Sequence, residues 1–328
     1  MISNYKIQLL CFVFSITFML VKAQGTLPVY TDYLSDNVFL LHPSAAGIGN
    51  CAKLRLTHRQ QWSGVSESPA LQTLSYHQRI GESVGLGGVI FNDKNGYHAQ
   101  KGISITYAYH VNFGREQALN QLSLALTGAF VQNSVDGSDF VSIIPDVALS
   151  EIIKSDSYYN TDFSIGYHYI DAFSYLTIKN VLLQTNKSKN YNYKSLNLRR
   201  YLFTLGYYWG RNNGVQFEPS IMLQLIERTS ELSMDINLKA YKKIGDYKQI
   251  WAGLSYRNSM EENVIENLKQ LTPIIGFDYK RFQFSYTYTK QFGNIVLDNN
   301  GHHQITLGVN LFCTPQRAKG CPNINGQF

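Results

Sequence analysis

Along most of this chain apolar and polar residues take turns one by one, the period that sends alternate side chains of an extended strand to opposite faces. From Cys51 to Trp62, Lys53, Arg55, Thr57, Arg59 and Gln61 share one face, and Ala52, Leu54, Leu56 and Trp62 share the other. Gly64 and Pro69 bracket a turn into a second run, Leu71 to Ile80, and Gly81-Glu82 leads tightly into a third, Val84 to Phe91. Next, Ile103, Ile105, Tyr107, Tyr109 and Val111 oppose Gly102, Ser104, Thr106, Ala108 and His110. Further on, Leu122, Leu124, Leu126 and Phe130 oppose Gln121, Ser123, Ala125 and Thr127. Several runs exceed the five or six residues of an ordinary strand and reach the ~9–11 that a tilted membrane strand needs.

The rhythm breaks between Gln132 and Asn160, where Asp136-Gly137 and Pro145 predict a long loop, with a short helix over Val147 to Lys154. It resumes at Phe163, Ile165, Tyr167 and Tyr169, and again at Tyr201 to Trp209, with Arg211-Asn212-Asn213-Gly214 as a hairpin turn into Val215 to Leu225. Leu182 to Arg199 and Glu261 to Lys269 read as polar surface loops. Counting the last runs, which end at His303 to Phe312, gives about fourteen, an even number suited to a closed bacterial barrel. The expected fold is all-β, a transmembrane antiparallel β-barrel of the outer-membrane type. A secreted β-sandwich of this length would divide into two domains, and no linker is visible.

Composition supports the β reading through 23 Tyr and 18 Phe. Trp62, Tyr109, Tyr169, Tyr207, Trp209, Tyr256 and Tyr288 fall towards run ends, as the two aromatic girdles of a membrane barrel do. The formal charge of +6 is mild, and no basic cluster with interleaved aromatics argues for nucleic acid. Residues 1–23 combine Lys6, an apolar stretch from Ile7 to Val21 and Val21-Lys22-Ala23, the make-up of a secretory signal peptide. No later stretch has the ~18–20 apolar residues of a spanning helix. The expected organisation is therefore a signal peptide at 1–23, a periplasmic or plug segment at 24–50, the barrel at 51–312 and a periplasmic tail at 313–328.

The most specific residues lie between His42 and Gly96. Four motifs follow one another: Pro43-Ser44-Ala45-Ala46-Gly47, Arg59-Gln60-Gln61-Trp62-Ser63-Gly64, Pro69-Ala70-Leu71-Gln72-Thr73-Leu74-Ser75, and Gly85-Leu86-Gly87 with Asn92-Asp93-Lys94-Asn95-Gly96. Upstream, Pro28, Tyr30, Thr31 and Tyr33 form a related opening. In this order the segment resembles the PorP/SprF family of type IX secretion outer-membrane proteins, although His42 stands where the family pattern has Asn. The resemblance implies a non-enzymatic barrel that supports secretion or surface anchoring of large adhesins through their C-terminal sorting domain, with gliding motility as one setting. It implies periplasmic and outer-membrane secretion components and outer-membrane lipid as partners, and no cofactor. Its signature residues map here to Pro43, Gly47, Arg59, Gln61, Trp62, Gly64, Pro69, Gln72, Thr73, Ser75, Gly85, Gly87, Asn92, Asp93 and Gly96, in structural roles.

Catalytic and metal chemistry is sparse. His302-His303 are adjacent, so a strand sends them to opposite faces and they make a poor metal pair. Gly85-Leu86-Gly87-Gly88 lies in a strand and lacks the helix of a phosphate cradle. Lys53, Arg55, Arg59, Glu218, Glu231, Asp235, Lys239, Arg257 and Asp278 are lumen candidates of both signs, which favours an interior ion-pair network over a selective pore. Of the exported cysteines, Cys313 and Cys321 can close a small tail loop, the preferred pairing. Cys51 can instead meet Cys313, because closure sets the first and last strands side by side. A second functional class stays open, a porin or hydrophobic-solute transporter like the fatty-acid transport barrels, with Gln24 to Gly49 as the plug.

Overall fold

Strand follows strand from Ala52 to Leu311 in the computed structural model, which describes residues 37–61, 68–113, 119–136, 153–182, 198–210, 214–227, 230–245, 247–260, 269–292 and 301–314. The first seven strands are β1 (Ala52–Gln61), β2 (Ala70–Ile80), β3 (Val84–Asn95), β4 (His98–Asn112), β5 (Asn120–Asp136), β6 (Ile153–Tyr169) and β7 (Ala172–Lys179). Then come β8 (Arg200–Tyr207), β9 (Val215–Ile226), β10 (Glu231–Lys243), β11 (Lys248–Ser259), β12 (Lys269–Tyr279), β13 (Phe282–Phe292) and β14 (His302–Leu311). Each pairs antiparallel with its sequence neighbours, and β1 pairs with β14 from Ala52↔Leu311 to Gln61↔His302, closing a 14-strand barrel. Closure leaves no strand edge in the hydrocarbon, where each unpaired backbone group would cost several kcal/mol. Among the described residues no helix is long and apolar enough to cross a membrane.

Alternation sets the two faces as the sequence predicts. Leu56, Leu74, Ile90, Ile105, Leu126, Ile236, Leu238 and Ile275 point outward and are exposed, an apolar surface of the kind a lipid bilayer covers. The residues between them point inward, and many are buried and polar, among them Arg55, Thr57, Thr106, Ser123, Asp235, Asn237 and Thr287. Links such as Gly81-Glu82-Ser83, Ile170-Asp171 and Lys280-Arg281 are short at one end, whereas the connections at the other are mostly longer. Short turns mark the periplasmic end of such barrels. Tyr109, Tyr169, Tyr207 and Trp209 face outward at that end, and Tyr256 does so nearer the other. Tyr288 is half-buried beside His303, with ring centroids 5.1 Å apart.

Two expectations need correction. The loop expected from Gln132 to Asn160 is shorter, because β5 continues to Asp136 and β6 begins at Ile153, paired as Gln132↔Ser157 and Asp136↔Ile153. The extension is rich in polar residues, Gln132, Asn133, Ser134, Ser155 and Ser157 among them. Side-chain contacts join the backbone ladder there, as where Gln100 Nε2 donates to Asn133 Oδ1 at 2.9 Å, and alternation of apolar residues does not reveal them. The helix expected over Val147 to Lys154 falls mostly outside the described residues, and Ile153 and Lys154 are strand. The second correction concerns the cysteines: Cys313 bonds to Cys51, not to Cys321. Pairing of β1 with β14 brings Cys51 and Cys313, each next to a strand end, to the same point of the short-turn rim, where the Thr314 amide also donates to the Asn50 carbonyl at 3.0 Å. Cys321, Trp62, Gly64 and the proposed signal peptide lie outside the described residues.

Candidate functional site

Upstream of β1 the chain folds back into the barrel. Two 3-10 turns, Val38–Leu40 and Pro43–Ala45, keep its backbone internally bonded, with the His42 amide donating to the Val38 carbonyl at 2.8 Å and the Ala45 amide to the His42 carbonyl at 2.9 Å. Such self-pairing is what lets irregular backbone lie in a lumen without orphaned polar groups. Pro43 begins the second turn and, as a residue before proline, His42 is extended (φ −121°, ψ 95°). Every residue from Leu41 to Ile48 is buried.

Apolar packing holds two sides of this segment. Leu41, Ala45 and Ile48 join Leu119, Phe173, Tyr175, Leu202, Tyr208 and Met222. Phe39 and Ala46 join Val89, Ala108 and Ala125. Full burial of side chains such as Phe39, Leu41 and Ile48 is worth ~1.5–3 kcal/mol each.

Polar contacts fix its orientation. His42 Nδ1 pairs with Thr177 Oγ1 and its Nε2 with Thr204 Oγ1, each at 2.8 Å, while the ring stacks on Tyr175 at 4.8 Å. Thr177 Oγ1 also meets Ser164 Oγ at 2.7 Å, and Ser164 Oγ meets Ser44 Oγ at 2.8 Å, so a chain of hydroxyls returns to the segment. The Gly47 amide donates to His77 Nδ1 at 3.1 Å, which requires a lone pair on that nitrogen. His110 Nε2 donates to the Ala46 carbonyl at 2.9 Å, Lys179 Nζ to the Leu40 carbonyl at 2.6 Å, and Asn37 Nδ2 to Ser75 Oγ at 2.7 Å. Contacts thus come from β2, β4, β6, β7 and β8. Burial, with the Lys179 charge as a smaller cause, pushes the His42 imidazole down to about 3.

The signature residues divide between two depths of the barrel. At the plug are Pro43, Gly47, Ser75, Gly85 and Gly87. Gly47 has φ +74°, and a side chain on Gly85 would overlap the Ala46 carbonyl, so the strand wall and the segment touch backbone to backbone. Gly87 lies under the Phe39 ring. Towards the loop end, Arg59 Nη2 bonds His302 Nδ1 at 2.8 Å, Asp93 is half-buried, and the Gln61 amide donates to the Pro69 carbonyl at 2.9 Å. Thr73 is buried on the inner face, Gln72 is exposed on the outer one, Asn92 is half-buried, and Gly96 turns β3 into β4 with φ +58°. His303 faces away from His302 and bonds Tyr286. Sequence reasoning missed Asn37, His77, His110, Ser164, Thr177, Lys179 and Thr204 as holders of the segment. Inward histidines on β2, β4 and β6 (His77, His110, His168) were the available signal.

The remaining strands fill their part of the lumen differently. Arg257 Nε and Nη2 donate to Asp235 Oδ1 and Oδ2, each at 2.6 Å. Tyr241 donates to Glu218 at 2.6 Å, and Lys239 Nζ sits 5.5 Å from the Trp251 ring centroid. Arg55 Nη2 donates to Asn310 Oδ1 at 2.9 Å. Of the charges expected to form an interior ion-pair network, Arg257 and Asp235 are joined as an ion pair, while Glu218, Lys239 and Arg55 meet Tyr241, Trp251 and Asn310.

The fold and this site define an outer-membrane β-barrel whose bore is occupied by its own chain upstream of the first strand. Over residues 22–309 the chain matches the family of the type IX secretion system membrane protein PorP/SprF, and it belongs to that family. A comparison with curated proteins finds no match. Among solved structures, the CymD monoaromatic hydrocarbon channel is similar with a TM-score of 0.47 and 12% identity, over 84% of this chain and 92% of that one. A Pseudomonas aeruginosa FadL homologue gives a TM-score of 0.47 at 9% identity, over 80% and 90%. BamA from Haemophilus ducreyi gives 0.42 at 9%, over 79% and 70%.

Proposed function

We propose that this protein serves type IX secretion as a sealed, membrane-anchored binding component and not as a conduit for solutes. It supports secretion or surface anchoring of large adhesins through their C-terminal sorting domain, in gliding motility where the cell glides. Residues 1–23 direct its export. The adhesin meets the long-loop end, and periplasmic components of the machinery meet the short-turn end.

One observation carries this reading. Residues 41–48 are buried inside the barrel, and inward side chains on both sides of the lumen, from Thr106 and Thr204 to Asp235 and Thr287, are buried as well. A water-filled pore exposes its lining. A barrel with a filled interior has its two ends and its outer wall left for work, which suits a component that binds proteins.

The test is a pull-down of the tagged full chain from detergent-solubilised outer membranes, with mass spectrometry of what accompanies it. Stoichiometric recovery of a very large adhesin or of periplasmic type IX components is the expected result. Isolation of the barrel alone, together with steady ion conduction in a planar bilayer, would favour the porin or hydrophobic-solute transporter instead.

A further inference from the structure

Outside the lumen, positive charge collects at the short-turn ends of β10 to β13. Lys242 and Lys248 lie on outward faces, Lys280 and Arg281 form the link between β12 and β13, and all four are exposed. Lys248 and Tyr279 are directly paired across β11 and β12. Lys248 Nζ stands 5.9 Å and Lys280 Nζ 5.5 Å from the centroid of the same Tyr279 ring. The two hairpins are tied together, because the Lys280 amide donates to the Tyr247 carbonyl at 2.8 Å. Lys280 itself holds φ +53°, a conformation that a non-glycine residue adopts at a cost. Cations from separate turns are in this way presented as one surface.

The surroundings favour a lipid over a protein as the occupant. Lys242, Lys248 and Tyr279 share the strand parity of the lipid-facing residues, and exposed Ile250, Phe277 and Phe282 lie beside them on the same wall. Nearby, Asp278 lies on the inward face of β12, while Asp246, in the β10–β11 turn, falls outside the described residues. Elsewhere at this end the short links carry acids, Glu82 and Asp171. Ammonium and guanidinium groups over an aromatic ring, at the boundary where the apolar band stops, match the chemistry of an acidic headgroup with its acyl chains below.

We propose that this patch binds anionic phospholipid from the leaflet at the short-turn end. The lipid phosphate bonds Lys248, Lys280 and Arg281, and the acyl chains lie along Ile250, Phe277 and Phe282. Because the lipid is read on the purified chain with no secretion partner present, this holds whether or not the proposed clients are the right ones.

The test is native mass spectrometry of the full chain in detergent, titrated separately with phosphatidylglycerol, phosphatidylcholine and inorganic phosphate. The wild type is expected to retain phosphatidylglycerol in preference to phosphatidylcholine. The double variant Lys248→Gln/Lys280→Gln is expected to lose that retention by about tenfold or more. A control pair at the loop end, Lys101→Gln/Lys290→Gln, keeps it. Heat-modifiable gel mobility verifies that each barrel is folded; should the test variant fail to fold, loss of wild-type retention with rising salt reads the same electrostatic contact. The proposal is overturned by equal retention of both lipids, by equal loss in the control pair, by wild-type retention that rising salt leaves unchanged, or by displacement with inorganic phosphate alone. It is equally overturned if the test variant keeps the lipid and instead loses an acidic protein.

Discussion

Around β2 to β8 the lumen is filled by a visitor, the stretch 37–50, whereas around β9 to β14 and β1 the strands fill it with their own side chains. In the first sector the wall sets small or hydroxylated residues, Gly85, Gly87, Ser164, Thr177 and Thr204, among larger ones such as Phe173 and Tyr175; the small ones leave room for a second backbone and the hydroxyls offer it bonds. In the second, long side chains reach inward and meet one another, as Arg257 meets Asp235 and Tyr241 meets Glu218. One sector is a socket and the other a packed core. Contacts of the socket are with a segment that lies outside the sheet and runs on into β1 at Cys51, so they can be released without opening the sheet; those of the core join neighbouring strands.

The contrast is open to attack from either side. The largest effect is expected from Asp235→Ala, which removes the carboxylate that receives two bonds from Arg257 and leaves a charge in the core; about 3–5 kcal/mol of stability is lost. Denaturant titration checks it, and the double variant Asp235→Leu/Arg257→Met should recover most of the loss. Cys51→Ser, at the point where the two sectors meet and the segment leaves the lumen, should cost ~2–4 kcal/mol, read as a lowered midpoint that reductant reproduces in the wild type. Gly85→Leu drives a side chain into the Ala46 carbonyl and should unseat the segment for ~1–3 kcal/mol, detected as protease cleavage near Ala46 in a barrel that still shows folded gel mobility.

Smaller changes separate the sectors further. His42→Ala gives up the bonds to Thr177 and Thr204 and the stack on Tyr175, and ~1–2 kcal/mol of seating should go with them, again with protease as the probe. Acid acts on the same residue. Seated His42 holds its proton only near pH 3, while the released residue does so near 6.5, so the released state binds more protons between these values. Seating is therefore full above pH 6.5 and weakens as pH falls towards 3, by ~1.4 kcal/mol per unit. Protease sensitivity should rise on that side, and His42→Asn should lessen the dependence while His77 and His110, which also bond the segment, stay in place.

The barrel was legible in the sequence because lipid imposes alternation on every strand that crosses it. Lys53 to Gln61 and Val215 to Leu225 display it plainly, and their faces are as expected. Where β5 and β6 continue past the apolar band, at Gln132 to Asp136 and Ile153 to Asn160, no lipid enforces the pattern and the strands read as loop. The socket was harder. Gly85 and Gly87 stood out as a motif, yet their reason is contact with Ala46 and Phe39, which lie a fold-back away in sequence. Thr177 and Thr204 look like any inward hydroxyl until His42 arrives between them. The cysteine pairing had two candidates, and only the register of β1 against β14 separates them.

Conductance of the purified full chain in a planar bilayer tests the central claim, that the stretch 37–50 seals this barrel. The account predicts a silent wild type and a Gly85→Leu variant that conducts. A wild type that carries a steady ohmic current, unchanged by Gly85→Leu, would contradict it.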